Sequence, residues 1–395
     1  VKALKFQPSD AMNRLPDQFF SGLAGKVQRK IEAGYDVINL GQGNPDKPTP
    51  AHIVDALKRE AENPLNHKYS PFQGRRELKA AIAHWYKQER GVTLDPDTEV
   101  AILFGGKAGL VELSNIFLNP GDVCLVPDPG YPDYWSGVAM AGGVMEMMPL
   151  REENEFLPDF SQISPDVARR AKMMFLNYPN NPTGAVATPA FIEAAVKFCR
   201  DHEILLIHDY AYGAIGFDGV TPPSFLSHPD AKDVGIEVYT LSKTYNMAGW
   251  RVGFALGNAD VVRLINLYQD HYFVSLFGAI QMASVEALTA SQQCVYDLCA
   301  MYESRRNTLY GALHRIGWKA RPTPGSFFAW LPVPAGYSSA SFADFLLDEA
   351  QVAVAPGVGF GVQGEGYVRV GLLVDEPRLA EAAERIRKLR LFEKW

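Results

Sequence analysis

The sequence predicts an α/β chain: a large lobe with a mainly parallel sheet between helices, joined to a smaller α+β lobe. Three observations lead there. From residue 100 onward, short apolar runs alternate with helical patterns, the signature of parallel strands joined by crossover helices. Around residues 260–293 that rhythm gives way to a long helical stretch, after which apolar runs at 327–331, 352–355 and 367–372 read as strands of a second unit. With 395 residues the chain can also bury more than one core.

Taken in order, residues 14–34 read as a leading segment and a helix, and DVINL as a strand running into the turn-rich Gly41-Gln42-Gly43-Asn44-Pro45-Asp46. A helix over 50–61 is expected, with Thr49 as N-cap and Pro50 at its first position. Leu78, Ala81, Ile82, Trp85 and Tyr86 recur at helical spacing within 75–90 and define an amphipathic helix. Strands are expected at 100–104, 123–126, 172–177, 204–208, 237–241 and 252–256, with helices such as 110–118 and 189–201 between most of them. The expected organisation is an N-terminal segment over 1–45 packing with the small domain, a large domain over 46–290 and a small domain over 291–395.

Composition removes several classes of function. A net charge of −7 argues against a nucleic-acid surface, since phosphate backbones attract basic faces. No apolar run reaches the roughly 18 residues of a membrane span, and residues 1–13 lack the apolar core of a signal peptide. The sequence opens at Val1, so a leading methionine or a few residues are expected to precede it. Four cysteines, with Cys294 and Cys299 five apart, fit neither CxxC nor a zinc pattern, and free thiols in a reducing cytoplasm are expected. The eight histidines form no HExxH, and no metal is expected.

The chemistry collects after the strands. Successive apolar runs are followed by Gly105-Gly106-Lys107-Ala108, Asp128-Pro129-Gly130-Tyr131-Pro132, Tyr178-Pro179-Asn180-Asn181-Pro182-Thr183-Gly184, Asp209-Tyr210-Ala211-Tyr212 and Ser242-Lys243. In such a sheet the carboxyl ends of the strands form the binding crevice. Gly105-Gly106-Lys107 ends a strand and opens a helix, a place where backbone N–H groups hold phosphate. It is no P-loop, because Ala101 and Ala108 stand where glycine and Ser/Thr belong. The stretch 359–364, GFGVQG, matches GxGxxG but runs into a strand, and reads as a turn-rich loop. Lys243 ends a buried strand eight residues before Arg251 opens another. Burial lowers a lysine's pKa and suits it to Schiff-base chemistry, and the arginine would lower it further or bind phosphate. Alone, these are equally two surface cations, and Asp209 is equally a helix N-cap. Together, a phosphate cradle, a lysine and a buried carboxylate have one simple explanation, a cofactor with a phosphate, an aldehyde and a basic ring nitrogen: pyridoxal 5′-phosphate.

The set GQGNPD, YSPFQGRRELKAAIA, FGGKAG, DPGYPDY, NYPNNPTG, DYAY, SKTYNMAGWRVG and YVRVG, spanning 41–371, resembles the class I/II aminotransferases of pyridoxal phosphate fold type I. That resemblance implies an aspartate aminotransferase-like fold and a ping-pong transfer between an L-amino acid and a 2-oxo acid. It implies that Lys243 binds the cofactor aldehyde covalently and later carries the proton between the substrate Cα and the cofactor carbon. Asp209 would pair with the ring nitrogen, Tyr212 and Asn181 would hydrogen-bond the ring oxygen, and Tyr131 would stack on the ring. The phosphate would be held by Gly106, Lys107 and Ala108 N–H groups, Ser242 and Arg251, with Thr240 a further contact. Tyr69 would reach the phosphate in a neighbouring subunit, making a homodimer with shared active sites. Arg369 would clamp the substrate α-carboxylate with the backbone at Gly43 and with Asn181; a structural ion pair is its other reading.

No residue is assignable as a second cation for a distal carboxylate. Phe19, Phe20, Tyr272, Phe273 and Phe277 are candidates for an apolar side-chain pocket, and equally for ordinary core. The blocks INLGQGNPDKPTP, LFGGKAGLVEL, VPDPGYPDYWSG and LNYPNNPTGAVAT are similar to the methionine-salvage branch of the family, which implies 4-methylthio-2-oxobutanoate as acceptor and glutamine as donor. Aromatic, aspartate or LL-diaminopimelate substrates and a carbon–sulfur β-lyase activity are the alternatives. A pyridoxal phosphate-sensing regulator is disfavoured, because the motifs begin by residue 41 and leave no room for a DNA-binding domain.

Overall fold

A computed structural model describes residues 5–17 and 19–392; the outermost residues of the expected N-terminal segment and small domain, and Gln18, lie outside the described residues. The strands are β1 (Ile38–Asn39), β2 (Val100–Leu103), β3 (Val123–Asp128), β4 (Val144–Pro149), β5 (Ala171–Asn177), β6 (Leu205–Asp209), β7 (Gly235–Thr240), β8 (Gly253–Gly257), β9 (Phe328–Pro332), β10 (Val352–Ala353), β11 (Ala355–Pro356) and β12 (Tyr367–Gly371). A seven-stranded sheet runs β2-β8-β7-β6-β5-β3-β4. The pairs among β3 to β7 are parallel, whereas β8 is antiparallel to both β7 and β2. Leu103, Thr240 and the start of β8 at Gly253 therefore meet at one edge of the sheet, level with the ends of β6 and β5.

Apolar residues on both faces explain why these strands are buried. One core places Trp85, Tyr86, Tyr239 and Phe254 under the sheet, and another places Leu110, Tyr134, Val138 and Phe175 over it. β4 was not expected from the sequence. It is an edge strand with Val144 and Met147 open to solvent, so its apolar alternation is weak.

The helix Ala51–Ala61 starts one residue later than expected: Pro50 is its N-cap, without a side-chain bond. The Thr49 hydroxyl is turned instead to Asn246 O, to which it donates at 2.7 Å. Residues 76–90 form the expected amphipathic helix, with Leu78, Ala81, Ile82, Trp85 and Tyr86 buried. The long stretch after β8 is three helices, Ala259–Tyr272, Gly278–Thr289 and Gln293–Arg315.

A third core gathers Tyr302, Leu309 and Leu313 of the last of these with β9 and β12 side chains, and also takes in Ile38 and Leu40. β1 pairs in parallel with β10, which fastens the leading segment to the C-terminal sheets. β11-β12-β9 form an antiparallel sheet in which Arg369 lies opposite both Ala355 and Trp330. No helix among the described residues is long and apolar enough to cross a membrane.

Candidate active site

A cavity of about 430 Å³ opens where the large sheet ends against β12 and the helix Phe19–Glu32. Gly43, Gly106, Lys107, Tyr131, Asn181, Asp209, Tyr212, Thr240, Ser242, Lys243, Arg251 and Arg369 all line it. Two of the expected site residues do not. Ala108 stands behind the rim in the first turn of its helix, and Tyr69 projects from the surface, 86% exposed.

At one end is an anion cradle. Gly105 has φ +81°, and a Cβ there would lie 2.5 Å from Arg251 Nη2, so only glycine admits the guanidinium. The helix Gly106–Phe117 then begins, and the N–H groups of its first turn lack intrahelical acceptors. Lys107 turns its ammonium to Asp133 at 3.0 Å, leaving its backbone N–H as its contribution to the cradle. Arg251, at φ +58°, donates through Nη1 to Ala248 O (2.8 Å) and keeps the rest of its fork by Gly105. Because β8 is antiparallel, a residue before its start meets residues after the ends of β2 and β7. Thr240 is occupied locally: its hydroxyl oxygen accepts from Ser242 N–H (3.1 Å) and lies 2.8 Å from Ser242 Oγ and 3.0 Å from Val252 O.

The middle holds the titratable groups. Asp209 is 6% exposed, and its hydrogen-bond partners are neutral, the Tyr134 hydroxyl on Oδ2 (2.7 Å) and Ala211 N–H on Oδ1 (3.2 Å). Burial pushes its carboxyl above the ordinary value, against the pull of those donors. No helix follows it, so the N-cap reading falls. Lys243 donates from Nζ to Gly43 O at 3.0 Å. Burial, then the charges of Arg369 and Arg251, lower its pKa to about 8. Tyr131 and Tyr212 are also pushed up by burial.

At the other end Arg369 is 5% exposed, yet among the described residues it meets no carboxylate. Nη1 donates to Asn181 Oδ1 (2.9 Å) and Nη2 to Gly41 O (3.1 Å), while Nε is buried without a partner. Rings of Phe328, Phe360 and Phe20 lie 4.0, 4.6 and 5.6 Å from its guanidinium carbon. Burial lowers its pKa to about 10. The structural ion pair is thus not what holds it. Asn181 is presented by a self-bonded turn: Asn177 Oδ1 accepts from Asn181 N–H (2.8 Å), and Asn180 Oδ1 accepts from the Thr183 hydroxyl (2.8 Å).

Several contributors escaped the sequence reading. Tyr134 carries a motif signal, being the last residue of DPGYPDY, but nothing local says that its hydroxyl reaches Asp209. Gly41 opens the GQGNPD motif without any sign that its carbonyl meets Arg369, Phe328 gives no signal of its own, and Phe360 sits inside the GFGVQG stretch. Conversely, Tyr272 and Phe277 are exposed at 71% and 44%, and neither they nor Phe273 line the cavity of this chain.

The donor set fits pyridoxal phosphate. A glycine gap and a helix start face a guanidinium fork, a buried carboxylate has only neutral partners, and a lysine of lowered pKa stands between two arginines.

The family described as aminotransferase class I and II matches residues 35–386. The chain is 62% identical over 389 residues, 98% of each chain, to the L-glutamine–4-(methylsulfanyl)-2-oxobutanoate aminotransferase of Bacillus subtilis. It is 44% identical to the LL-diaminopimelate aminotransferase of Moorella thermoacetica, over 97% of this chain and 98% of that one. The substrate-bound structure of BacF from Bacillus subtilis superposes with a TM-score of 0.94 at 48% identity, covering 98% of both chains.

Proposed function

The chain belongs to the class I and II aminotransferases, enzymes that use pyridoxal 5′-phosphate, and from that premise we propose that it transfers the amino group of glutamine, or of another L-amino acid, to 4-methylthio-2-oxobutanoate, giving methionine. The observation that carries the substrate reading is the surroundings of Arg369. One guanidinium without a carboxylate partner among the described residues suits the α-carboxylate, and Phe20, Leu23, Val27 and Phe360 line the same cavity; beyond Lys107, Lys243 and Arg251, which serve the cradle and the cofactor, its described lining offers no cation for a distal carboxylate. A thioether side chain is matched by such a wall; a second carboxylate is not.

Bound pyridoxal phosphate supplies an electron sink for the charge left when the substrate Cα loses its proton. The chain's residues do the rest. The N–H groups of Gly106, Lys107 and Ala108, with Ser242 and the Arg251 fork, would hold the phosphate, while Thr240, bonded within the chain, would position Ser242. Asp209, kept in place by Tyr134, would hold a proton on the ring nitrogen, and Tyr131 would cover the ring. Tyr212 and Asn181 would hydrogen-bond the ring oxygen. Lys243, its pKa lowered to about 8 so that the neutral amine is far more populated than in a free lysine, would hold the cofactor aldehyde and would carry the substrate Cα proton on Nζ. Arg369, Asn181 and the backbone at Gly43 orient the α-carboxylate.

The proposed organisation is a leading segment over 1–45, a large domain over 46–290 and a small domain over 291–395, supported by the separate cores and the β1–β10 pairing. A cytoplasmic homodimer completes it: Tyr69, Phe72, Tyr272 and Phe277 are exposed aromatic surface for a second copy, whose phosphate Tyr69 would reach. Sedimentation should give twice the 43.6 kDa chain mass, and a monomer at micromolar concentration would end that part.

A donor–acceptor screen tests the function. Glutamine with 4-methylthio-2-oxobutanoate should give methionine in stoichiometric amounts, without ammonia or pyruvate, and with parallel double-reciprocal lines. Faster amination of oxaloacetate than of the thioether acid would overturn the substrate reading. Lys243→Ala should lose covalently bound cofactor and its visible absorption; a wild type that stays colourless with added pyridoxal phosphate would sink the whole proposal.

A further inference from the structure

The GFGVQG stretch reaches the cavity by a route unrelated to nucleotide binding. It forms two short 3₁₀ turns, Gly357–Phe360 and Val362–Gly364, ahead of β12. Phe360 is fully buried, lines the cavity, and packs its ring 5.1 Å from that of Phe20 as well as against Arg369. Two contacts tie this loop to the end of β3, in a different sheet. Gly130 N–H donates to Phe360 O at 2.8 Å, and Gln363 N–H donates to Asp128 Oδ1 at 3.0 Å, with Val362 N–H turned to the same carboxylate. Asp128 is only 4% exposed. The approach is so close that a Cβ on Gly361, at φ +129°, would lie 2.0 Å from Asp128 Oδ1.

We propose that Asp128 is a specificity-determining positioning residue: its carboxylate latches the 357–364 loop so that Phe360 stands as a fixed wall against the substrate side chain. The latch grips main-chain N–H groups, so it acts on the loop's path and not on one side chain. Without it, the Gln363 and Val362 N–H groups lose a charged acceptor, and the loop keeps only the Gly130–Phe360 main-chain bond to the end of β3. Arg369 sits on β12, paired on both sides by β9 and β11, and keeps its place when the loop moves. Losing the latch therefore weakens the grip on a long apolar side chain while sparing the α-carboxylate. This inference rests on the proposed transamination of a thioether substrate.

The test compares wild-type holoenzyme with Asp128→Ala and Asp128→Asn, using 4-methylthio-2-oxobutanoate and pyruvate as acceptors. In Asp128→Ala the KM for the long acceptor should rise about tenfold and that for pyruvate less than about threefold, with kcat and bound-cofactor absorption little changed. Asp128→Asn, which keeps one acceptor oxygen, should recover most of the loss. Hydrogen exchange in a peptide spanning 357–366 should be about tenfold faster in Asp128→Ala alone. Equal rises in KM for both acceptors, no rise, or unchanged exchange would overturn the latch. If Asp128→Ala does not fold, Gly361→Ala, whose Cβ must displace the carboxylate, has to reproduce the same split in KM. A wild type that aminates neither acceptor refutes the functional reading instead, and the exchange comparison then judges the latch by itself.

Discussion

Two regions of this chain bury arginines and treat them oppositely. On the helix Gln293–Arg315, Arg305 and Arg306 are 1% and 3% exposed, and each meets a carboxylate with two nitrogens. Arg305 grips Asp46 at 2.8 and 2.8 Å, and Arg306 grips Asp218 at 2.7 and 2.7 Å. On β12, Arg369 is buried to a similar degree but has an amide oxygen, a carbonyl oxygen and three aromatic rings. Burial alone therefore does not mark a functional cation. What separates the two is whether the charge is neutralised within the chain: the helix pairs are complete, while Arg369 pays a desolvation cost that an anionic ligand would offset.

That contrast can be broken or sharpened by experiment. The largest expected effect is at Arg369: replacement by Ala should cut kcat/KM for amino-acid donors on the order of 10³-fold, with cofactor still bound and the thermal midpoint little changed. Loss of cofactor instead would reassign the residue. Arg305→Ala should do the reverse, losing about 3 kcal/mol in urea unfolding with KM nearly constant, because it strands a carboxylate. The sign with pH follows from Asp46. Burial pushes its carboxyl up, but the hydrogen bonds and charge of Arg305 leave it below its ordinary value. The pair's contribution is therefore present above the ordinary carboxylate range, about pH 4, and is lost as pH falls through the lowered value. Wild type and Arg305→Ala should converge in acid.

Arg251→Lys tests the cradle. It keeps the charge but not the fork beside Gly105, and should weaken cofactor binding about tenfold, read by titration of cofactor-free protein. The smallest effect is a shift of a midpoint. Capture of pyridoxal phosphate by cofactor-free protein should rise with pH through about 8, as Lys243 loses its proton. Arg369→Ala should raise that midpoint, since Arg369 follows burial among the causes of the lowered pKa, while Arg305→Ala should leave it in place.

Much of this site was legible because each strand announces its own end. The run Ile204-Leu205-Leu206-Ile207 identifies a strand, and Asp209 after it follows by counting. Gly105-Gly106 before a helical pattern likewise marks a cradle whoever its partner is. Legibility failed where a residue's role depends on what it meets. Tyr134 lies 75 positions from Asp209 and Phe360 more than 200 from Gly130, and no local period encodes either encounter. β4 failed for another reason: one face is open, so the apolar pattern that marks a buried strand is diluted.

By itself, then, the sequence determined the alternation of strands and helices and the set of groups that stand after the strands. Hydrophobic periodicity and turn chemistry act over a few residues, and both are written locally. Tertiary structure alone decided the direction of β8, which brings Arg251 to the same edge as Lys243 and Gly105. It also decided that Arg369 finds rings and neutral oxygens where Arg305 finds a carboxylate. Strand direction and charge pairing depend on which segments meet, β8 on β2 as well as on β7, and Arg305 on Asp46 259 residues away, and become definite only when the sheets are packed.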